Sequence, residues 1–234
     1  MDYLLLSKLV MVGGLSVFMA YASSRRIGYS PMPPVLLGSS LIGIISIRKM
    51  SLLNLWVLHF VNSFAGKFHI LDSIMVFTAK YSPYIIASVL FLIFVLGNKS
   101  SKSLSIIAAI SGVFALLLNQ IISALYYSPR PSMLYNVTLL LPPSNDASFP
   151  SDHTALAFAV SVAILSANKR LGILLILFSL LTGVSRVYCG LHYPVDILGG
   201  MATGITSAAL IRRTAHKYMP ALEEYSLLLR RHRR

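Results

Sequence analysis

Three short stretches concentrate ionisable side chains in an otherwise apolar chain: SPRP at 128–131, FPSDH at 149–153 and SRVYCGLHYPVD at 185–196. Acids and histidines are costly at the mouth of a membrane helix unless they work there. Arg130 and Arg186 supply planar, permanently charged donor forks suited to phosphate oxygens. Ser151 follows Pro150 and precedes a helical run, which is where an N-cap falls, so exposed backbone N–H groups there would add an anion site. His192 and Asp196 stand four apart, with Pro194 at the expected start of a helix. A carboxylate that close can bond one ring nitrogen, fix the tautomer and leave the other nitrogen as a nucleophile. His153 is then the proton donor for a leaving oxygen. Two histidines, one orienting acid and two arginines around a helix-terminus anion site describe covalent phosphoryl transfer, with no metal and no organic cofactor.

The elements that must position these groups are membrane helices. The 234 residues are 56% hydrophobic and 12% charged, and the mean hydropathy is +0.75, outside the balance of a soluble domain. The expected fold is all-α: a polytopic membrane bundle of about six transmembrane helices, with catalytic loops at the extracytoplasmic ends. Apolar stretches at 81–97, 104–127, 154–167, 171–188 and 197–211 read as five spans. A sixth candidate covers 9–22, the stretch 34–47 is short for a crossing, and 50–64 suits an interfacial helix or a tilted span. No cleavable leader is evident in residues 4–22. Adjacent antiparallel helices bring their ends together, so the three stretches can converge on one pocket.

A formal charge of +13 would suggest nucleic acid in a soluble protein. Here the basic residues fall in short loops and the tail, so no nucleic-acid partner follows. Lys99 and Lys102, Lys169 and Arg170, and the tail from Arg212 are basic, whereas the loops at 128–152 and 189–196 are not. Positive-inside orientation puts the basic segments in the cytoplasm and both sparse loops outside. The pairs Arg25–Arg26 and Arg48–Lys49 cannot all lie inside if every upstream candidate crosses. Cys189, the single cysteine, excludes an internal disulfide and reads as a small packing residue.

The pattern R-P, then P-S-[GD]-H, then S-R-x5-H-x3-D resembles the type 2 phosphatidic acid phosphatase superfamily, which includes glucose-6-phosphatase and the vanadium haloperoxidases. The motifs occur in order, with 18 residues between Pro131 and Pro150 and 31 between His153 and Ser185. The resemblance covers about residues 70–212. It implies His192 as the nucleophile forming a phosphohistidine, Asp196 as its orienting partner, His153 as general acid, and Arg130, Arg186 and Ser151 as phosphate ligands. Two positions depart from the pattern: Ser123 stands where the first motif has a lysine, and Asp152 replaces the glycine of the second. With LDSIMVF at 71–77 and HYPVDILG at 192–199, these departures resemble the bacitracin-resistance branch, bacterial undecaprenyl diphosphate phosphatases. That likeness implies a polyprenyl diphosphate substrate in the bacterial cell (inner) membrane, acted on from the extracytoplasmic side. The chain then divides into a hydrophobic extension at 1–49, a phosphatase membrane domain at 50–212 and a basic cytoplasmic tail at 213–234.

Rival readings stay open at this level. Another lipid phosphate (phosphatidylglycerol phosphate, phosphatidic acid or lipid A) would use the same motifs. A lipid transporter would also carry intramembrane charges, but leaves the clustering and the S-R-x5-H-x3-D spacing unexplained. A haloperoxidase is soluble, which the spans oppose. Asp152 is either a first-turn acid or a substrate-facing group, and Asp72 is either a helix cap or a functional acid. His59 and His69 read as interfacial and His216 and His232 as parts of the tail, none of them site candidates. Sequence carries no statement of oligomeric state.

Overall fold

The computed structural model describes the backbone of residues 52–231 and the side chains of residues 52–215. The chain divides into two units, Met1–Val57 and Leu58–Arg234, and the second carries the site. The expected spans at 9–22 and 34–47 and the extension 1–49 lie outside the described residues, as do the side chains of His216 and His232. Every regular element described is helical: α1 (Leu52–Asn62), α2 (His69–Leu96), α3 (Lys99–Leu125), α4 (Pro131–Leu134), α5 (Asp152–Leu165), α6 (Lys169–Tyr188) and α7 (Pro194–Arg231). The protein is an all-α, multi-pass membrane bundle. Four helices, α2, α3, α6 and Pro194–Ala215 within α7, are long and apolar enough to cross a membrane.

The third expected span, 154–167, is α5, the centre of the bundle. Its 14 residues make a rod of about 21 Å, shorter than the hydrocarbon core, and nine of them are buried. A helix apolar on all sides belongs in the interior. Its neighbours meet it with small residues: Ser105, Ala108, Ser111, Gly112, Ala115 and Asn119 form the buried stripe of α3. A Cβ on Gly112 would stand 2.7 Å from a Leu156 methyl, and one on Gly200 of α7 would stand 2.4 Å from the Ser151 carbonyl. Close backbone approach through small residues is how helices associate where lipid offers no hydrophobic contrast. Between α5 and α6 the hydroxyls of Ser161 and Ser179 meet at 2.7 Å. The outer faces of α2, α3 and α6 expose large apolar side chains such as Phe91, Leu117 and Leu177, a belt that suits lipid.

Two boundaries differ from expectation. The first confident span begins at His69 rather than near residue 81, because the helix runs back through the charge of Lys80, which bounds the uncharged stretch. The residues 50–64 contain an eleven-residue helix, α1, too short to cross. The backbone of α7 also runs unbroken through residue 212, where the tail was expected to begin.

Candidate active site

Five of the expected site residues line one cavity of about 430 Å³: Arg130, Asp152, His153, Arg186 and His192. It opens at the end of the bundle formed by the 126–151 loop, the start of α5 and the α6–α7 turn. The loop is closed at its base by the Ser148 N–H, which donates to the Ser128 carbonyl at 2.7 Å.

His192 is the centre of this arrangement and is 2% exposed. Nη1 of Arg130 and Nη2 of Arg186 both stand 3.2 Å from its Nε2. A guanidinium only donates, so Nε2 must be the acceptor and the ring proton must reside on Nδ1. Nδ1–H meets the Ser148 carbonyl oxygen at 2.8 Å. Burial pushes the imidazole down to about 4; Asp196 opposes that fall, and the Arg186 and Arg130 charges reinforce it. The ring is therefore neutral at pH 7, with its Nε2 lone pair turned to the cavity and the two arginines.

Asp196 holds this ring less directly than its spacing suggested. Its Oδ2 is 3.6 Å from Nδ1, beyond hydrogen-bond range. The same oxygen accepts from the Ser148 hydroxyl at 2.5 Å and from the Tyr193 N–H at 2.9 Å. The fully buried carboxylate thus ties down the residue whose carbonyl takes the ring proton and the residue next to the ring. Ser148, which the sequence reading gave no role, is the intermediary; a hydroxyl two residues before Pro150 is its only sequence trace.

The arginines are anchored differently. Arg130 gives Nη1 to the Leu191 carbonyl at 3.0 Å, and Nε and Nη2 to Asp146 at 3.0 and 2.7 Å. Burial would raise the Asp146 carboxyl, but the Ser144 hydroxyl and Arg130 outweigh it and hold it below its ordinary value. Arg186 gives Nη1 to the Ala79 carbonyl of α2 at 3.1 Å. Pro83 explains why that carbonyl is available: proline has no N–H, so Ala79 lacks its helical donor four residues on. Nε of Arg186 is buried with no partner among the described residues, a donor held in reserve.

Ser151 is the N-cap of α5 and is fully buried, yet its side chain caps nothing. Its hydroxyl accepts from Thr154 at 3.1 Å, and its N–H donates to the Asp196 carbonyl at 3.1 Å. The first-turn N–H groups of Asp152, His153 and Thr154 have no acceptor among the described residues, which leaves an anion-binding helix end. The His153 ring lines the cavity there and makes no side-chain hydrogen bond to the described residues. Asp152 receives the Asn119 amide at 2.8 Å, whereas Arg130 pairs with Asp146.

Two further expectations are resolved. Asp72 is structural, since its Oδ1 accepts from the Gly66 N–H at 3.0 Å and the Tyr188 hydroxyl at 2.7 Å. Ser123 does not replace the motif lysine, because its hydroxyl donates to the Phe149 carbonyl at 3.2 Å. A lysine does line the cavity, but it is Lys80 of α2. It stands just before the apolar stretch at 81–97, although a lysine within a membrane helix is itself a functional signal.

The chain is similar to several known proteins. Curated BcrC of Bacillus subtilis (strain 168), an undecaprenyl-diphosphatase, is 41% identical over 154 residues, covering 66% of this chain and 80% of that protein. The bacitracin transport permease protein BcrC of Bacillus licheniformis is 32% identical, over 72% of this chain and 84% of its own. The crystal structure of Aquifex aeolicus LpxE is similar at a TM-score of 0.61 and 26% identity, covering 69% of this chain and 95% of that one. Residues 103–220, about half the chain, match the PAP2 superfamily. Since that match takes in about half the chain, including Arg130, His153, Arg186 and His192, the chain belongs to the PAP2 superfamily.

Proposed function

We propose that this protein is a membrane phosphatase that hydrolyses undecaprenyl diphosphate to undecaprenyl phosphate, regenerating the lipid carrier of cell-wall synthesis and so opposing bacitracin. The observation that carries the chemistry is the neutral His192 with its Nε2 lone pair between two guanidinium groups. The terminal phosphate of the lipid enters the cavity and its oxygens take over N–H donors of Arg130 and Arg186 and of the α5 N-terminus. Nε2 attacks phosphorus, the bond to the bridging oxygen breaks, and the lipid monophosphate leaves. Burial and the Arg186 charge push the His153 ring down to about 3 without substrate, so it gives that oxygen a proton only after the bound diphosphate's negative charge has drawn one onto it. The Nδ1 proton stays shared with the Ser148 carbonyl, and Asp196 balances the positive ring. Water then attacks the phosphohistidine and passes a proton to His153; the P–N bond breaks and inorganic phosphate departs.

The undecaprenyl substrate rests on the names of relatives covered over most of their length. The side of the membrane rests on charge: Lys99, Lys102, Lys169 and Arg170 flank the turns at the end opposite the cavity, which positive-inside orientation puts in the cytoplasm. The cavity then faces outward from the bacterial cell membrane, where the spent carrier is released. Residues 50–212 are the catalytic unit, with 1–49 an extension and 213–234 a basic tail. A relative named as a bacitracin transport permease points to a transporter instead. Against it, the buried ionisable groups Arg130, Arg186, His192 and Asp196 all gather at one end rather than along a path.

The test is phosphate release from purified protein in detergent across a panel of prenyl diphosphates, phosphatidylglycerol phosphate, phosphatidic acid and lipid A. The expected result is preference for the prenyl diphosphate, retained in EDTA and inhibited by vanadate as a transition-state analogue. Preference for another lipid overturns the substrate, and activity that EDTA abolishes and Mg²⁺ restores overturns the mechanism.

A further inference from the structure

Lys80 lies outside the residues that match the superfamily, in the middle of α2, yet it lines the same cavity as His153, Arg186 and His192. Its neighbour Ala79 holds Arg186 through the carbonyl that Pro83 leaves free, so the backbone carrying Lys80 is fixed to the group that grips phosphate. No carboxylate pairs with Lys80 among the described residues; its Nζ rests 5.2 Å from the centre of the Tyr81 ring. Outward from it, Phe77, Tyr81 and Tyr84 form an exposed aromatic ladder with ring centres 5.1 and 6.3 Å apart.

We propose that Lys80 is a specificity-determining residue that binds the phosphate remaining on the lipid, and so selects a diphosphate over a monophosphate. The proposal rests on the phosphatase reading above. His192 and the two arginines account for one phosphate, the one attacked. A diphosphate brings a second, whose negative charge grows as the bridging oxygen departs, and Asp152 on the same cavity repels it. An ammonium on the lipid-facing helix answers both needs. Position 123 offers none, since Ser123 is committed to the Phe149 carbonyl. A lysine placed there only to anchor the helix would instead reach for the membrane surface and have no reason to line the cavity.

The experiment compares wild type, Lys80→Ala and Lys80→Arg on a prenyl diphosphate and the matching prenyl monophosphate. The ratio of the two kcat/KM values should fall about tenfold or more in Lys80→Ala, as for a lost charge-assisted contact. Part of that loss should be in kcat, because the leaving phosphate gains charge, and Lys80→Arg should recover most of it. Equal loss on both substrates, or no loss, overturns the assignment and leaves Lys80 a helix anchor. Wild type that releases nothing from the diphosphate overturns the functional reading instead. Lys80 is then read by inhibition of whichever lipid phosphate is turned over. A Lys80→Ala variant that weakens inorganic pyrophosphate relative to orthophosphate by about tenfold supports the site, and equal weakening of both overturns it.

Discussion

The two ends of the bundle solve the same problem in opposite ways. At the end that carries Lys99 and Lys169, α3 and α6 begin with Asn98 and Asn168, whose side chains accept from the N–H groups of Ser101 and Leu171 at 3.0 and 3.1 Å. Those caps close on themselves, and the charges beside them stand in solvent. At the cavity end, α5 begins at a buried serine that caps nothing, and Arg130, Arg186, His192 and Asp196 are buried against one another. A satisfied helix end adds stability and nothing else. An end that keeps N–H donors open and surrounds them with cations has given up that stability for an anion.

The comparison breaks first at His192. His192→Ala should lower phosphate release by on the order of 10⁴-fold or more while the protein stays folded, because no other group can form the covalent intermediate. A purified variant with near wild-type turnover would remove the phosphohistidine. Truncation at the opposite end has no counterpart to this effect.

The same ring has a smaller consequence for stability. Its value of about 4 in the folded protein lies below the ordinary 6.5, so between these values the unfolded chain binds a proton that the folded one refuses. Stability is therefore full above about pH 6.5 and falls as pH drops toward 4, by about 3 kcal/mol across the window. Carboxylates titrate nearby, so the measurement is the difference between wild type and His192→Gln in detergent unfolding midpoints at pH 7 and 4.5. The variant should lose less on acidification, and parallel losses would show that the ring is not held neutral.

Legibility in the sequence divides along the same line. Motif spacing located His153, Arg186, His192 and Asp196 because each sits within a turn of a helix end, and short connections leave those ends little choice of neighbour. Asp146, Ser148 and Lys80 were not legible in their roles. Asp146 and Ser148 belong to the long 126–151 loop, whose path is decided by contacts such as Ser148 with Asp196, 48 positions away. Lys80 was left out of the expected span because its charge bounds the uncharged stretch at 81–97, whereas α2 runs back through it to His69. Asp196 shows a subtler limit: four-residue spacing suggested direct contact with the ring, and the structure inserts Ser148 between them.

Asp152 sharpens the comparison further. Its carboxylate faces the cavity but is held by Asn119, so it lies where a second phosphate would feel its charge. Asp152→Gly, which installs the commoner residue of the motif, removes that repulsion and should shift relative kcat/KM from prenyl monophosphate toward prenyl diphosphate by about tenfold, the scale of one close charge near a surface. Asn119→Ala should move the same ratio in the same direction by less, since it only frees the carboxylate to turn. An unchanged ratio in both variants makes Asp152 a first-turn acid serving the helix dipole.

The smallest effect tests the caps themselves. Asn168→Ala removes an acceptor that the Leu171 N–H uses and that no substrate approaches, so it should cost about 1 kcal/mol of stability with kcat/KM unaltered. Ser151→Ala removes a hydroxyl that caps nothing, and the side chain it loses bonds only Thr154. It should therefore cost less stability than Asn168→Ala does, while lowering kcat/KM by about tenfold through a lost phosphate donor. Detergent unfolding midpoints and phosphate release on the two variants give a crossed pattern, stability against activity. If both variants lose stability alone, Ser151 is an ordinary cap and the cavity end of α5 is no more reserved for an anion than the far ends of α3 and α6.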